Sequence, residues 1–127
     1  MAKVLLIEDD PLVLRMYEKV LKYAHFEVFT AEGGEEGLLA AKNNRPDLIF
    51  LDIMMPIMDG LEVLDRLKAD VNTANVPVVM LTNLSGEKDA KVAMDKGALL
   101  YMVKSEYKPN DIADKAKEII GADSQTS

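Results

Sequence analysis

The stretch Asp47 to Gly60, DLIFLDIMMPIMDG, opens with an apolar run, Leu48-Ile49-Phe50-Leu51, in which polar and apolar residues do not alternate. A strand with one wet face alternates, whereas a strand covered on both faces reads as an unbroken apolar run, the pattern of a parallel sheet between two layers of helices. The same reading applies to KVLLIE at Lys3 to Glu8, VPVVMLT at Val76 to Thr82 and LLYMVK at Leu99 to Lys104, with a shorter strand at Phe26 to Thr30. Between them lie helix patterns at about Pro11 to Tyr23, Glu35 to Asn43, Leu61 to Lys68, Glu87 to Lys96 and Pro109 to Ile120. A strand followed by a helix, five times over, implies one α/β domain: a doubly wound, five-stranded parallel sheet with right-handed crossovers.

Local signals support these elements. Pro11 is favoured at a first helical position, and Asp10 before it is placed to cap. Leu12, Met16 and Val20, with Val13, Tyr17 and Ala24, supply the apolar spacing of the first helix; Leu61, Val63, Leu64 and Leu67 that of the third; Ile112, Ala116, Ile119 and Ile120 that of the last. Gly97 is the expected left-handed residue closing the fourth helix. Residues 1–121 form the domain, and 122–127, small and polar, read as a frayed tail. The chain's 127 residues suit a single core, and the expectation is either a stand-alone domain or a piece of a longer protein.

Composition removes several classes of function. No apolar run approaches the roughly 20 residues of a membrane helix, and Met1 to Ile7 reads as a first strand rather than a signal peptide. With no cysteine, thiolate metal sites and disulfides are excluded and a cytoplasmic location is expected. A net charge of -7 argues against direct nucleic-acid binding, which depends on neutralising phosphates, so a protein partner is expected. His25, the only histidine, sits at a helix-to-strand connection and reads as a solvated loop residue rather than a phosphate carrier.

The functional signal lies in how the strands end. Glu8 and Asp9 follow the first, Asp52 the third, Thr82 ends the fourth and Lys104 the fifth. Parallel strands deliver all of these groups to one rim, where open α/β sheets bind ligands. Three adjacent acids, Glu8-Asp9-Asp10, exceed the needs of one helix cap and suit a Mg2+ ion, which takes one or two carboxylates plus waters. The same turn lacks the glycines that would admit a dinucleotide. Mg2+ held by Asp9 and Asp52 would keep Asp52 ionised for nucleophilic attack on phosphorus, with Lys104 pairing phosphoryl oxygens and the Thr82 hydroxyl donating to another. A carboxylate nucleophile needs no general base, and none is in evidence.

These pieces, the acids of LLIEDD, the loop DLIFLDIMMPIMDG, the hydroxyl of VVMLT and the lysine of GALLYMVK, resemble the receiver domain of two-component response regulators over essentially the whole chain. The resemblance implies a flavodoxin-like sheet in the order 2-1-3-4-5. It implies Asp52 as phosphoacceptor, Asp9 as direct Mg2+ ligand with Glu8 near or through water, and the backbone carbonyl of Met54 as a further ligand. It also implies Thr82 and Tyr101 as a switch pair, a sensor histidine kinase or phosphotransfer protein as donor, and a downstream protein target. Such a domain is not an enzyme in the ordinary sense, since it assists only its own phosphorylation and dephosphorylation.

Two positions depart from the family. Lys104 is followed by Ser105 where a proline with a cis bond is usual, and without proline a cis bond costs roughly 2.5 to 4 kcal/mol; a trans bond with Lys104 slightly displaced, or a strained cis bond, is expected. Asn83 stands where a small residue is usual, so Asn83, with Met54, is expected to modulate access to the pocket. Two rival readings stay open: a binding module of the same fold that is never phosphorylated, and an aspartate-nucleophile phosphohydrolase, which would want a second carboxylate where Met54 stands.

Overall fold

The computed structural model describes residues 1–124. Its elements are β1 (Lys3–Ile7), α1 (Pro11–Tyr23), β2 (Glu27–Ala31), α2 (Gly34–Asn44), β3 (Leu48–Leu51), α3 (Gly60–Ala69), β4 (Val78–Thr82), α4 (Glu87–Asp95), β5 (Leu100–Val103), a single 3-10 turn at Lys104–Glu106, and α5 (Pro109–Ser124). The strands are all parallel and lie in the order β2-β1-β3-β4-β5.

Alternate residues of each strand serve opposite faces, which is why the runs do not alternate in polarity. Leu5, Ile7, Ile49, Leu51, Val78 and Met80 pack with Ala41, Val63, Leu64, Leu67 and Ala93 of α2, α3 and α4. Val4, Leu6, Leu48, Phe50, Val79 and Leu81 pack with Leu14, Tyr17, Leu21, Ile112 and Ala116 of α1 and α5. Each large aliphatic side chain buried in this way contributes about 1.5–3 kcal/mol relative to exposure.

The inner face of α1 differs from the expected one. Leu14, Tyr17 and Leu21 are buried, with Val13, Val20 and Ala24 half-buried beside them, whereas Leu12 is 81% exposed and Met16 also faces outward. Apolar residues occupy most of this helical wheel, so periodicity alone does not select the stripe that meets the sheet. Boundaries also move slightly. β4 begins at Val78, because Pro77 has no N–H for the ladder, although its carbonyl still accepts from the Ile49 N–H at 3.0 Å. α5 runs to Ser124, past the last apolar position at Ile120. Of the expected tail 122–127, residues 125–127 lie outside the described residues.

The caps hold the loops that matter. Asp10 Oδ1 accepts from the Leu12 N–H at 3.0 Å and the Val13 N–H at 3.4 Å, fixing the turn after β1. Asp59 Oδ1 accepts from the Glu62 N–H at 3.0 Å and starts α3. Gly97 has φ 106°, as a left-handed helix terminator should. Gly60 is needed for another reason: a Cβ there would lie 2.0 Å from the Asp52 carbonyl oxygen and 2.7 Å from Ile53 Cα. The start of α3 thus lies directly against the backbone that carries Asp52, tied to it by the Gly60 N–H donating to Ile53 O at 2.9 Å.

Gly60→Ala is accordingly expected to cost about 3 kcal/mol of stability, because the clash is with backbone. Gly37→Ala, whose Cβ would meet only the Ile7 side chain at 2.6 Å, is expected to cost about 1 kcal/mol, since a side-chain end can give way. Urea denaturation of the two variants checks the ranking; equal losses would refute the backbone clash.

Candidate functional site

Each side chain in question sits one residue past, or at the end of, a strand. Glu8 follows β1, and its N–H donates to Ala31 O at 3.0 Å; Asp52 follows β3, and its N–H donates to Ile7 O at 3.1 Å. β4 and β5 end in register with Thr82 opposite Val103, so Lys104 emerges beside them. The sheet therefore brings Glu8, Asp52, Thr82 and Lys104 to a single rim, from segments up to 96 residues apart in sequence.

Glu8 and Asp52 are each only 4% exposed. Lys104 Nζ lies between them, donating to Asp52 Oδ2 at 3.0 Å and, in a short hydrogen bond, to Glu8 Oε1. The second oxygen of each carboxylate is also occupied: Glu8 Oε2 accepts from the Asp10 N–H at 3.0 Å and Asp52 Oδ1 from the Met54 N–H at 3.2 Å. Asp9, half-buried, completes an acidic group in which Glu8, Asp9 and Asp52 each present an oxygen within 4.8 Å of the others. Hard oxygen donors at that spacing fit a divalent cation such as Mg2+.

Burial pushes the Glu8 carboxyl above its ordinary range. The Lys104 and Asp10 hydrogen bonds oppose that push, and the Asp52 charge adds to it. For Lys104 burial acts to lower the pKa, but the hydrogen bond to Glu8 and the charge and hydrogen bond of Asp52 outweigh it, so the ammonium is held above its usual value. Beneath Glu8 and Asp52 a cavity of about 10 Å³, walled by Leu6, Tyr17, Phe50 and Leu81, has room for a single water at most, so the pocket floor is effectively closed.

Thr82 is fully buried, and its Oγ1 accepts from the Leu84 N–H at 3.4 Å. Tyr101, half-buried, donates from its hydroxyl to the Leu84 carbonyl at 2.8 Å, and burial raises its pKa. The expected switch pair thus holds one residue, Leu84, by both of its backbone polar groups. Met54 is 53% exposed and Asn83 is exposed. Among the described residues there is no cis peptide, so the Lys104–Ser105 bond is trans, and Lys104 reaches both carboxylates from the 3-10 turn it opens. Tyr17, in the pocket floor, and the Leu84 peptide were not singled out from sequence; a tyrosine on an amphipathic helix and a backbone group carry no compositional signal.

A family model described as the response regulator receiver domain matches residues 4–117. The chain is a response regulator receiver domain. The transcriptional regulatory protein PrrA of Mycobacterium tuberculosis (strain ATCC 25618 / H37Rv) is 43% identical over 102 residues, 80% of this chain and 43% of that protein. The alkaline phosphatase synthesis transcriptional regulatory protein PhoP of Bacillus subtilis (strain 168) is 33% identical over 118 residues, 93% of this chain and 48% of that protein. The chain thus spans less than half the length of these curated relatives. Among solved structures, Vibrio cholerae chemotaxis protein CheY4 superposes with a TM-score of 0.87 at 29% identity, covering 94% of this chain and 98% of that one. A CheY-like receiver domain protein from Methanospirillum hungatei JF-1, at 24% identity and covering 100% of this chain and 99% of that one, reaches 0.89 and supports the fold. Receiver domains are signalling domains whose family binds Mg2+ at an acidic pocket. No described helix is long and apolar enough to cross a membrane.

The receiver domain's site has a definite pH signature without metal. Lys104, its pKa raised in the fold, contributes stability that is full below 10.5 and lost as pH climbs through its folded value. Glu8, also raised, binds its proton more tightly folded than unfolded, so stability falls as pH rises from 4.5 toward its folded value. In Lys104→Met only the Asp10 N–H is left to offset the burial of Glu8 and the Asp52 charge beside it. The stability deficit of the variant should therefore grow with pH, to about 3 kcal/mol at pH 8. Urea melts at pH 4 and pH 8 measure it; a deficit constant with pH would be inconsistent with the ion triad.

Proposed function

We propose that the domain accepts a phosphoryl group on Asp52 from a sensor histidine kinase or phosphotransfer protein and thereby changes its affinity for a protein target. The observation that carries this reading is the convergence of Lys104 and the acids Glu8, Asp9 and Asp52 at one rim, with Thr82 at the end of the neighbouring strand. A cytoplasmic setting, with no direct contact to nucleic acid and no membrane insertion, accompanies it.

Asp9, Asp52 and the backbone carbonyl of Met54 would hold Mg2+, with Glu8 near or through water. The ion supplies charge that offsets repulsion between the carboxylates and an incoming phosphoryl group. An Asp52 oxygen attacks phosphorus, forming the acyl phosphate O–P bond. The P–N bond to the donor's imidazole breaks, and its electron pair stays on the imidazole nitrogen. Lys104, which now divides itself between Glu8 and Asp52, moves its Asp52 hydrogen bond to phosphoryl oxygens. Thr82 turns its hydroxyl from the Leu84 N–H toward the phosphoryl group, and the loosened Leu84 peptide repositions the Tyr101 ring hydrogen-bonded to its carbonyl. Phosphorylation then acts as a population shift between two arrangements of the loop after β4 and the face formed by α4 and β5. Met54 and Asn83, exposed beside the pocket, set access by donors and water.

Incubation with Mg2+ and acetyl phosphate should add one phosphoryl group per chain, measured by intact mass, and none in Asp52→Ala. Continuous turnover without a stable adduct would support a phosphohydrolase, and no adduct at all a binding module that is never phosphorylated. Once phosphorylated, Asn83→Ala should lose its phosphoryl group a few-fold faster than the wild type by mass-resolved decay, because a smaller side chain opens the approach for water. An unchanged lifetime would remove Asn83 from the access role.

A further inference from the structure

Ile57 combines three properties that do not ordinarily occur together. It is a β-branched residue at φ 71°, it is fully exposed (103%), and it lies five residues past Asp52 in the loop between β3 and α3. The Met58 N–H donates to the Pro56 carbonyl at 2.8 Å, so Ile57 is the centre of a γ-turn in its positive-φ form, the rare and strained one. Glycine or asparagine adopts that backbone readily; for a β-branched side chain it is a genuine outlier.

No packing gain offsets the strain, since the side chain is wholly in solvent. Strain of this kind persists where it serves a site. The loop is also fixed in place: the Gly60 N–H is bonded to Ile53 O, and Met58 is buried in the core, so Ile57 is held outward. Next to it lies a hollow of about 190 Å³, walled on one side by Pro56, Ile57 and Met58 and on the other by Glu32, before α2, and Glu35 and Glu36 in its first turn, with the Arg66 guanidinium 3.7 Å from Glu35.

We propose that Ile57 is a specificity-determining anchor for the protein that phosphorylates Asp52, an inference that rests on the phosphoacceptor reading above. A protein donor must bring a histidine to within bonding distance of Asp52, and its surface then covers the loop that begins at Asp52 and carries exposed Met54, Pro56 and Ile57. A small-molecule donor makes no such contact. The complementary donor surface has an apolar recess for Ile57 and a basic side chain facing the acidic wall of the hollow.

The test separates the two kinds of donor. Autophosphorylated histidine kinases of the source organism are screened for the one that labels the wild-type domain fastest, and that kinase and acetyl phosphate are then used in parallel. For Ile57→Gly, kcat/KM with the kinase should fall about tenfold, the scale of a single apolar anchor. The rate with acetyl phosphate should be unchanged, and Tm should rise by about 3 to 6 °C as the backbone strain is relieved. Ile57→Leu should restore kinase-driven transfer to within about twofold of wild type, since it keeps an apolar side chain of the same size. Wild-type transfer from the kinase to Ile57→Gly, an equal loss with both donors, or a wild type that acetyl phosphate labels and no kinase does, would each overturn the inference. Failure of acetyl phosphate to label Asp52 in the wild type would instead remove the phosphoacceptor reading itself.

Discussion

Lys104 between the buried carboxylates of Glu8 and Asp52 is the contact on which the rim depends. Two carboxylates with almost no exposure each carry a large desolvation cost and would repel one another with nothing positive between them. The ammonium satisfies one oxygen of each, and the Asp10 and Met54 N–H groups satisfy the others. The arrangement still leaves burial uncompensated: Glu8 holds its proton more tightly than an ordinary glutamate despite Lys104 and the Asp10 N–H. A site poised in this way gains from any added positive charge and would respond when one of its carboxylates became an acyl phosphate, which is what a phosphorylation-driven signalling domain requires.

The sheet is what makes that contact available. Register places Glu8 and Asp52 side by side at the ends of neighbouring strands, while Lys104, beyond β4 in the 3-10 turn that follows β5, reaches both with its long side chain. Gly60 then fixes how closely α3 can approach, so the Asp52 backbone is braced from the helix side as well as from β1. The pocket floor, sealed by Leu6, Tyr17, Phe50 and Leu81, is the same packing that stabilises the α1 and α5 face. Site and core therefore share residues, and precise placement of Asp52 follows from close packing.

This sharing decides what could be read from the sequence. The strands were legible because burial on both faces forces unbroken apolar runs, and the site was legible because a polar residue ending such a run has nowhere to go except the rim. Asp52, Glu8, Thr82 and Lys104 are all of that kind. The inner face of α1 was not legible, since Leu12 and Met16 satisfy the helical period as well as Leu14 and Leu21 do; the choice is made by the sheet. Leu84 escaped notice because it acts through its peptide group. Ile57 was hidden for the opposite reason: its side chain is ordinary, and only the backbone angle makes it unusual.

In the proposed function, the Leu84 peptide is the route by which a change at Asp52 would reach the surface without large motions in the core. Thr82 has its backbone at the end of a fully buried strand, so its response is a rotation about Cα–Cβ that swings Oγ1 away from the Leu84 N–H. In the proposed switch, rotation toward a phosphoryl oxygen would remove one of the two hydrogen bonds that hold Leu84, leaving the other on Tyr101, which sits on the outermost strand. Tyr101 is half-buried, with its ring against the edge of the core and its hydroxyl bonded to a loop, so a new position would cost that bond and part of the ring's packing. The proposed switch thus lies between the pocket and an edge of the sheet, where a difference of one or two hydrogen bonds, about 1 kcal/mol each, would be enough to set the balance between two surface arrangements.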